Sequence, residues 1–338
     1  MNRWPFRMGI LFIMFVLVVS GCGGGKTEPS AEKGKLKISA SMYPLAFFAE
    51  QIGGDHVSVT NLVPPGVDAH DFEPTPKDVA KMADSQVFLY NGIGMEGWVD
   101  KVKGSLKEKT LLVNTSKGIP LLKSTHEHGH EHGEHEHGHE KHGHEEHGHE
   151  HGHEHGHEGH AHGDHDPHVW LDPIRAKQQA AHIKDALVKE DPKHQEDYEQ
   201  NYEQLAQRLE DIDQSLKETV KKAKGKSFIV SHAAFGYLAD RYGLNQIPIS
   251  GLSPSEEPSP KKLREIVKTA REHQVKYILF ETLVSSKVAK TVQKEVGTDP
   301  LTIHTLEGLT QQEQSQGEDY FTLMEKNADH LGKALETK

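Results

Sequence analysis

The sequence predicts an α/β protein made of two (β/α) lobes with mainly parallel sheets, joined by a long rigid linker helix. Two observations carry that expectation. Short apolar or alternating runs that read as strands are separated by helical stretches along both halves of the chain, the pattern of parallel sheets covered by helices. Between the halves, Pro192 opens a stretch without Gly or further Pro as far as Lys224, which as a helix would be a rod of roughly 45 to 50 Å.

The elements follow in order. Residues 35–40 (KLKISA) alternate as a strand does, and residues 44–53 read as a helix opened by proline and closed by glycine. A strand over 56–63, a helix from Pro76, strands over 86–90 and 110–114 and a helix over 173–189 complete the first half. In the second half, strands over 227–231, 246–250, 276–281 and 301–304 alternate with helices over 233–242, 260–272, 285–296 and 317–335. The expected organisation is a leader (1–21), a flexible tether (22–34), a first lobe (35–190), the linker helix (191–224) and a second lobe (225–338), a division of ordinary domain sizes.

At the N-terminus, Arg3 and Arg7 precede an apolar run from Met8 to Val19, and small residues follow it, as in a secretory signal. The run is too short for a comfortable membrane span. Val19-Ser20-Gly21-Cys22 resembles a bacterial lipobox, which implies that Cys22 becomes the lipidated first residue of the mature chain; more than one acyl chain suffices for stable anchoring. Cys22 is the only cysteine, so no thiol is left for a disulfide or a thiolate site, and any metal must be held by nitrogen and oxygen.

The tract from His126 to His165 holds 18 of the 27 histidines, interleaved with Glu and Gly. Imidazole suits zinc, copper and nickel, so these histidines are expected to form an auxiliary metal-binding loop. Ala161 is the only apolar residue there, so the loop is expected to be solvated and to bind metal loosely, and selectivity must lie elsewhere. The formal charge of −12 becomes −14 without the two leader arginines, a balance that disfavours nucleic acid and anionic substrates and mildly attracts cations.

In open α/β sheets ligands sit beyond the carboxyl ends of the strands. Four metal-capable residues stand there: His70 in PPGVDAHDFEPTP, His168 in HDPHVWLDP, His232 at the end of SFIVS, and Glu307 in HTLEGL. Two come from each lobe, so a metal joining them would lie in the interlobe cleft. Glu281, ending YILFE, is as well placed as Glu307 by this logic, and His304, within the last strand, also stays open. His56, His182, His194, His273 and His330 fall at strand starts or on helices and read as surface residues. There is no G-x-S-x-G elbow and no phosphate-cradling glycine loop; the glycines from Gly23 lie in the tether.

DAHDFEPTP, NGIGMEGW from Asn91, HVWLDP from His168, VSHAAFGYLADRYGL from Val230 and TLEGL near the end occur in this order across nearly all of the chain. Together they resemble the zinc and manganese receptors of bacterial ABC importers, and the His-rich insertion resembles the zinc branch, the ZnuA-like lipoproteins. The resemblance implies a metal in the cleft, held by His70, His168, His232 and Glu307, and so favours Glu307 over Glu281. It also implies an extracytoplasmic, lipid-anchored and monomeric receptor that delivers its ion to an ABC permease in the cytoplasmic membrane, with the tract gathering zinc. Manganese receptors of this family present two histidines and two carboxylates. Three imidazoles and one carboxylate suit Zn2+ better, and four protein donors close the site against enzymatic use. Two alternatives remain, a manganese or iron receptor of the same fold and a surface zinc store or adhesin, and sequence leaves the fourth ligand open between Glu307, Glu281 and a water.

Overall fold

Buried apolar runs with no polar face need cover on both sides, and the computed structural model, which describes residues 34–106, 108–124, 165–283 and 286–336, supplies it twice. Strands β1 (Leu36–Ala40), β2 (Val57–Asn61), β3 (Val87–Tyr90) and β4 (Leu111–Asn114) form one sheet in the order β2-β1-β3-β4. Strands β5 (Ser227–Val230), β6 (Asn245–Pro248), β7 (Tyr277–Glu281) and β8 (Asp299–Ile303) form a second in the order β6-β5-β7-β8. Every pairing is parallel. In each sheet the strand order reverses between its first and third strands, and a crevice opens at their carboxyl ends.

The helices of the first lobe are α1 (Tyr43–Gly53), α2 (Pro76–Asp84), the short α3 (Val99–Val102) and α4 (Pro173–Glu190); α5 (Gln195–Lys222) follows. Those of the second are α6 (Gly236–Tyr242), α7 (Pro260–Glu272), α8 (Lys287–Val296), α9 (Gln311–Ser315) and α10 (Tyr320–Ala334). Prolines open α2, α4 and α7 behind the capping side chains of Thr75, Asp172 and Ser259. The helix expected over 317–335 is α10, which starts three residues later: Gly317 turns left-handed at φ 73, and Asp319 caps the helix with a capping box; the short α9 lies before the expected range. Likewise α6 starts three residues later than expected, because Ala233 to Phe235 continue the loop beyond β5.

Pro192–His194 form a single 3-10 turn, so the long helix is α5 alone, 28 residues and about 42 Å. Tyr198 and, two turns on, Leu205, Leu209, Ile212, Leu216 and Val220 at steps of three or four line its buried face. That face packs against α1 and α4 of the first lobe and against α10 of the second.

The lobes share one apolar core. Phe47 and Phe48 of α1 meet Tyr320 and Phe321 of α10, with ring centroids 5.0 Å apart for Phe48 and Tyr320 and 5.5 Å for Phe47 and Phe321. Trp170, fully buried, donates from Nε1 to Thr305 O at 2.7 Å, and Tyr320 donates to Trp170 O at 2.5 Å. Three alternate carbonyls of one second-lobe loop thus face donors from three parts of the first lobe: Thr305 takes Trp170, Glu307 takes Tyr43 N at 3.3 Å, and Leu309 takes Gly66 N at 2.8 Å. A close-packed core of this kind resists wide hinge opening. Trp170→Ala is expected to cost about 3–5 kcal/mol in denaturant unfolding; a loss under about 1 kcal/mol would mean that this core does not hold the lobes together. Among the described residues, no helix is long and apolar enough to cross a membrane.

Candidate metal centre

Each of the four donors is buried and is placed by the local backbone that carries it. His70 ends a turn in which Asp68 Oδ1 accepts His70 N at 2.8 Å, and His168 ends an equivalent turn in which Asp166 Oδ1 accepts His168 N at 2.9 Å. The same Asp-x-His arrangement therefore presents both first-lobe imidazoles. His232 stands two residues past β5, in the crevice beside β7. Glu307 follows Leu306, whose φ of 59 is left-handed and costs a non-glycine residue about 1–2 kcal/mol.

The four side chains meet. His70, His168, His232 and Glu307 are all buried, and each places one donor atom within 4.8 Å of the other three. Nε2 of His168 lies 3.2 Å from Nε2 of His70 and 3.4 Å from Nε2 of His232. Glu307 Oε1 is 3.6, 3.7 and 3.9 Å from the Nε2 atoms of His70, His168 and His232. A tetrahedron with bonds of 2.0 to 2.1 Å has edges of about 3.3 to 3.4 Å, so the spacing suits an ion of zinc's size. Glu307 Oε1 is also a buried oxygen with no hydrogen-bond partner among the described residues, a costly state that a cation at the centre would relieve.

The far nitrogens of His168 and His232 are engaged. His168 Nδ1 donates to Asp166 at 2.8 Å and His232 Nδ1 donates to Glu281 at 2.6 Å, so both rings turn Nε2 inward. Carboxylates behind histidines orient ligands in this way at metal sites. Glu281 also accepts from Ser231 Oγ and from His232 N. Of the two carboxylates that strand position left open, Glu281 is thus engaged behind His232, and Glu307 faces the three imidazoles. Strand position alone does not single out Asp166, although the shared spacing of Asp68-Ala69-His70 and Asp166-Pro167-His168 carried the signal.

Burial disfavours the charged His232, but the Glu281 and Glu307 carboxylates outweigh it and raise its pKa to about 9. Burial likewise opposes the charge of His70, which Glu307 nonetheless raises, whereas for His168 burial prevails and the pKa falls. Burial would raise Glu307, yet the three imidazoles hold it well below the usual carboxylate range.

The auxiliary metal loop expected from His126 to His165 is described only at its last residue. His165 pairs with Lys123 in an isolated antiparallel bridge, so the chain leaves and returns at one place, three residues before His168. His126 and the rest of the tract as far as residue 164 lie outside the described residues, as do the leader and Cys22. None of the four donors that meet is itself a residue of the tract. Of the histidines expected at the surface, His56 and His194 stack on each other with centroids 3.7 Å apart, each bonded to an aspartate, Asp197 and Asp191.

Two parallel lobes on a common core, with a closed set of three imidazoles and one carboxylate between them, define a two-lobed metal-binding receptor. The chain belongs to the family described as zinc-uptake complex component A, periplasmic, which matches residues 38–334. It is 42% identical over 325 residues to the high-affinity zinc uptake system protein ZnuA of Bacillus subtilis (strain 168), covering 95% of each chain. It is 40% identical over 299 residues to the zinc-binding protein AdcA of Streptococcus pyogenes serotype M3, covering 88% of this chain but only 56% of that longer relative. The crystal structure of the Zn(II)-bound ZnuA-like domain of Streptococcus pneumoniae AdcA superposes with a TM-score of 0.70 at 33% identity, covering 90% of this chain and all of that one.

Proposed function

We propose that this protein is an extracytoplasmic receptor that captures Zn2+ with high affinity and delivers it to an ABC-type permease for uptake. The ion is its cargo, held by Nε2 of His70, His168 and His232 and by the Glu307 carboxylate. One observation carries the assignment: four buried donors from both lobes converge at the spacing of a tetrahedral zinc site. The donor set also favours zinc over manganese, because three imidazoles suit the softer ion and manganese stands lowest in the divalent affinity order. Four protein donors leave no position for a reacting water, which fits a receptor rather than a metalloenzyme.

Around this centre, Cys22 carries the lipid that keeps the receptor, acting as a monomer, at the outer face of the cytoplasmic membrane. The histidines from His126 to His165 raise the local zinc concentration beside the cleft. Because the lobes share a core, delivery proceeds by local withdrawal of a loop-borne donor, His168 being the candidate, when the permease is engaged.

Competition between zinc and manganese for the full chain tests the metal; zinc is expected to win by several orders of magnitude, and a preference for manganese would refute the assignment. Deleting residues 126–164 is expected to leave the tight site intact and to slow uptake only when zinc is scarce. Unchanged uptake at every zinc level would remove the gathering role.

A further inference from the structure

His304 is a buried histidine outside the four-donor set, and every polar group it has is committed. Its backbone is gripped by one side chain: His304 N donates to Asn327 Oδ1 at 2.8 Å, and Asn327 Nδ2 donates to His304 O at 2.7 Å. Its ring Nδ1 accepts Leu306 N at 2.8 Å. An acceptor cannot carry a proton, so the ring is the Nε2–H tautomer, and Nε2 faces Glu313 Oε2 at 3.3 Å. Glu313 is fixed in turn, since it closes the capping box of α9 by accepting Thr310 N and Thr310 Oγ1 at 2.8 Å each.

Leu306, the residue whose N–H is captured, holds the left-handed φ of 59 and immediately precedes Glu307. A side chain that accepts the N–H two residues ahead imposes a turn, as Asn and Asp do in Asx-turns. We infer that His304 is the positioning residue for Glu307: by capturing Leu306 N it writes the left-handed turn that aims the carboxylate at the three imidazoles. It thereby decides whether the centre presents four protein donors or three. This rests on Glu307 being a ligand, as proposed above.

The test measures zinc affinity of the full chain against a chelator strong enough to strip the His-rich tract, for His304→Leu alone and in a Glu307→Ala background. His304→Leu is expected to weaken binding about 10- to 100-fold, the range for lost supporting contacts at metal sites. In the Glu307→Ala background it is expected to cost less than about twofold, because the carboxylate it aims is gone. His304→Asn keeps an acceptor for the N–H of Leu306 and is expected to bind within about threefold of the parent. Equal losses for His304→Leu in both backgrounds, or no loss in either, would overturn the inference. If His304→Leu does not fold, His304→Asn decides alone: near-parental affinity supports the inference, and a loss as large as that of Glu307→Ala overturns it. Parental affinity in Glu307→Ala itself would instead refute the four-donor reading.

Discussion

His232→Ala is expected to lower zinc affinity by more than about a hundredfold, since losing merely the partner of a metal ligand costs about 10- to 100-fold. Two effects add. The ion loses one of four donors, and Glu281 loses the Nδ1–H that it accepts at 2.6 Å, leaving a carboxylate that is 8% exposed without that partner. Competition with a tight chelator reads the loss, and thermal melting of the zinc-free variant checks that the fold survives. Undiminished affinity would mean that zinc is held elsewhere, and the histidine tract would become the only remaining candidate.

Acidification is expected to act nearly as strongly. Raised to about 9, His232 carries a proton in the metal-free protein throughout the neutral range, and zinc must displace it. Displacing one proton costs tenfold in affinity per pH unit, so between pH 8 and 5.5 the tight site weakens by about 300-fold or more. Glu307 does not contribute to this trend, because its lowered pKa keeps it ionised across the range. The metal-free fold responds to alkali: a pKa raised on folding stabilises fully below the unfolded value of about 6.5, and that stabilisation fades as pH rises through about 9. Zinc titrations from pH 5.5 to 8, with melting curves of the metal-free chain from pH 6 to 9.5, check both signs. A flat affinity profile would be incompatible with a three-imidazole site.

Much of this molecule is legible along the chain. Runs such as VFLY and YILFE, short and rich in aromatic and branched residues, read as buried strands, and Pro-pinned loops mark His70 and His168 without any three-dimensional information. Choosing between Glu281 and Glu307 needed more, because both follow strands of the second sheet. What separates them is strand order: β7 lies next to β5, so Glu281 at its end emerges beside Ser231 and His232 and is drawn behind the ring, while Glu307 comes from the loop after the edge strand β8 and faces the imidazoles. Order within a sheet leaves no local trace in sequence. The start of α10 is misjudged for a different reason: Gly317 and Asp319 are turn and cap signals in plain view, outweighed by the helical pattern after them, and the five-residue α9 is too short to show a period. The buried role of His304 was invisible, since a histidine at a strand end looks the same whether it binds metal, caps a turn or faces water.

The bridge between Lys123 and His165 staples the entry and exit of the insert together. Its two ends are therefore held side by side, and in general doubling the length of a flexible loop adds only about 0.6 kcal/mol of closure cost. On that footing, adding or deleting histidine repeats is expected to leave the cradle as it is, since all four of its donors lie outside residues 125–164.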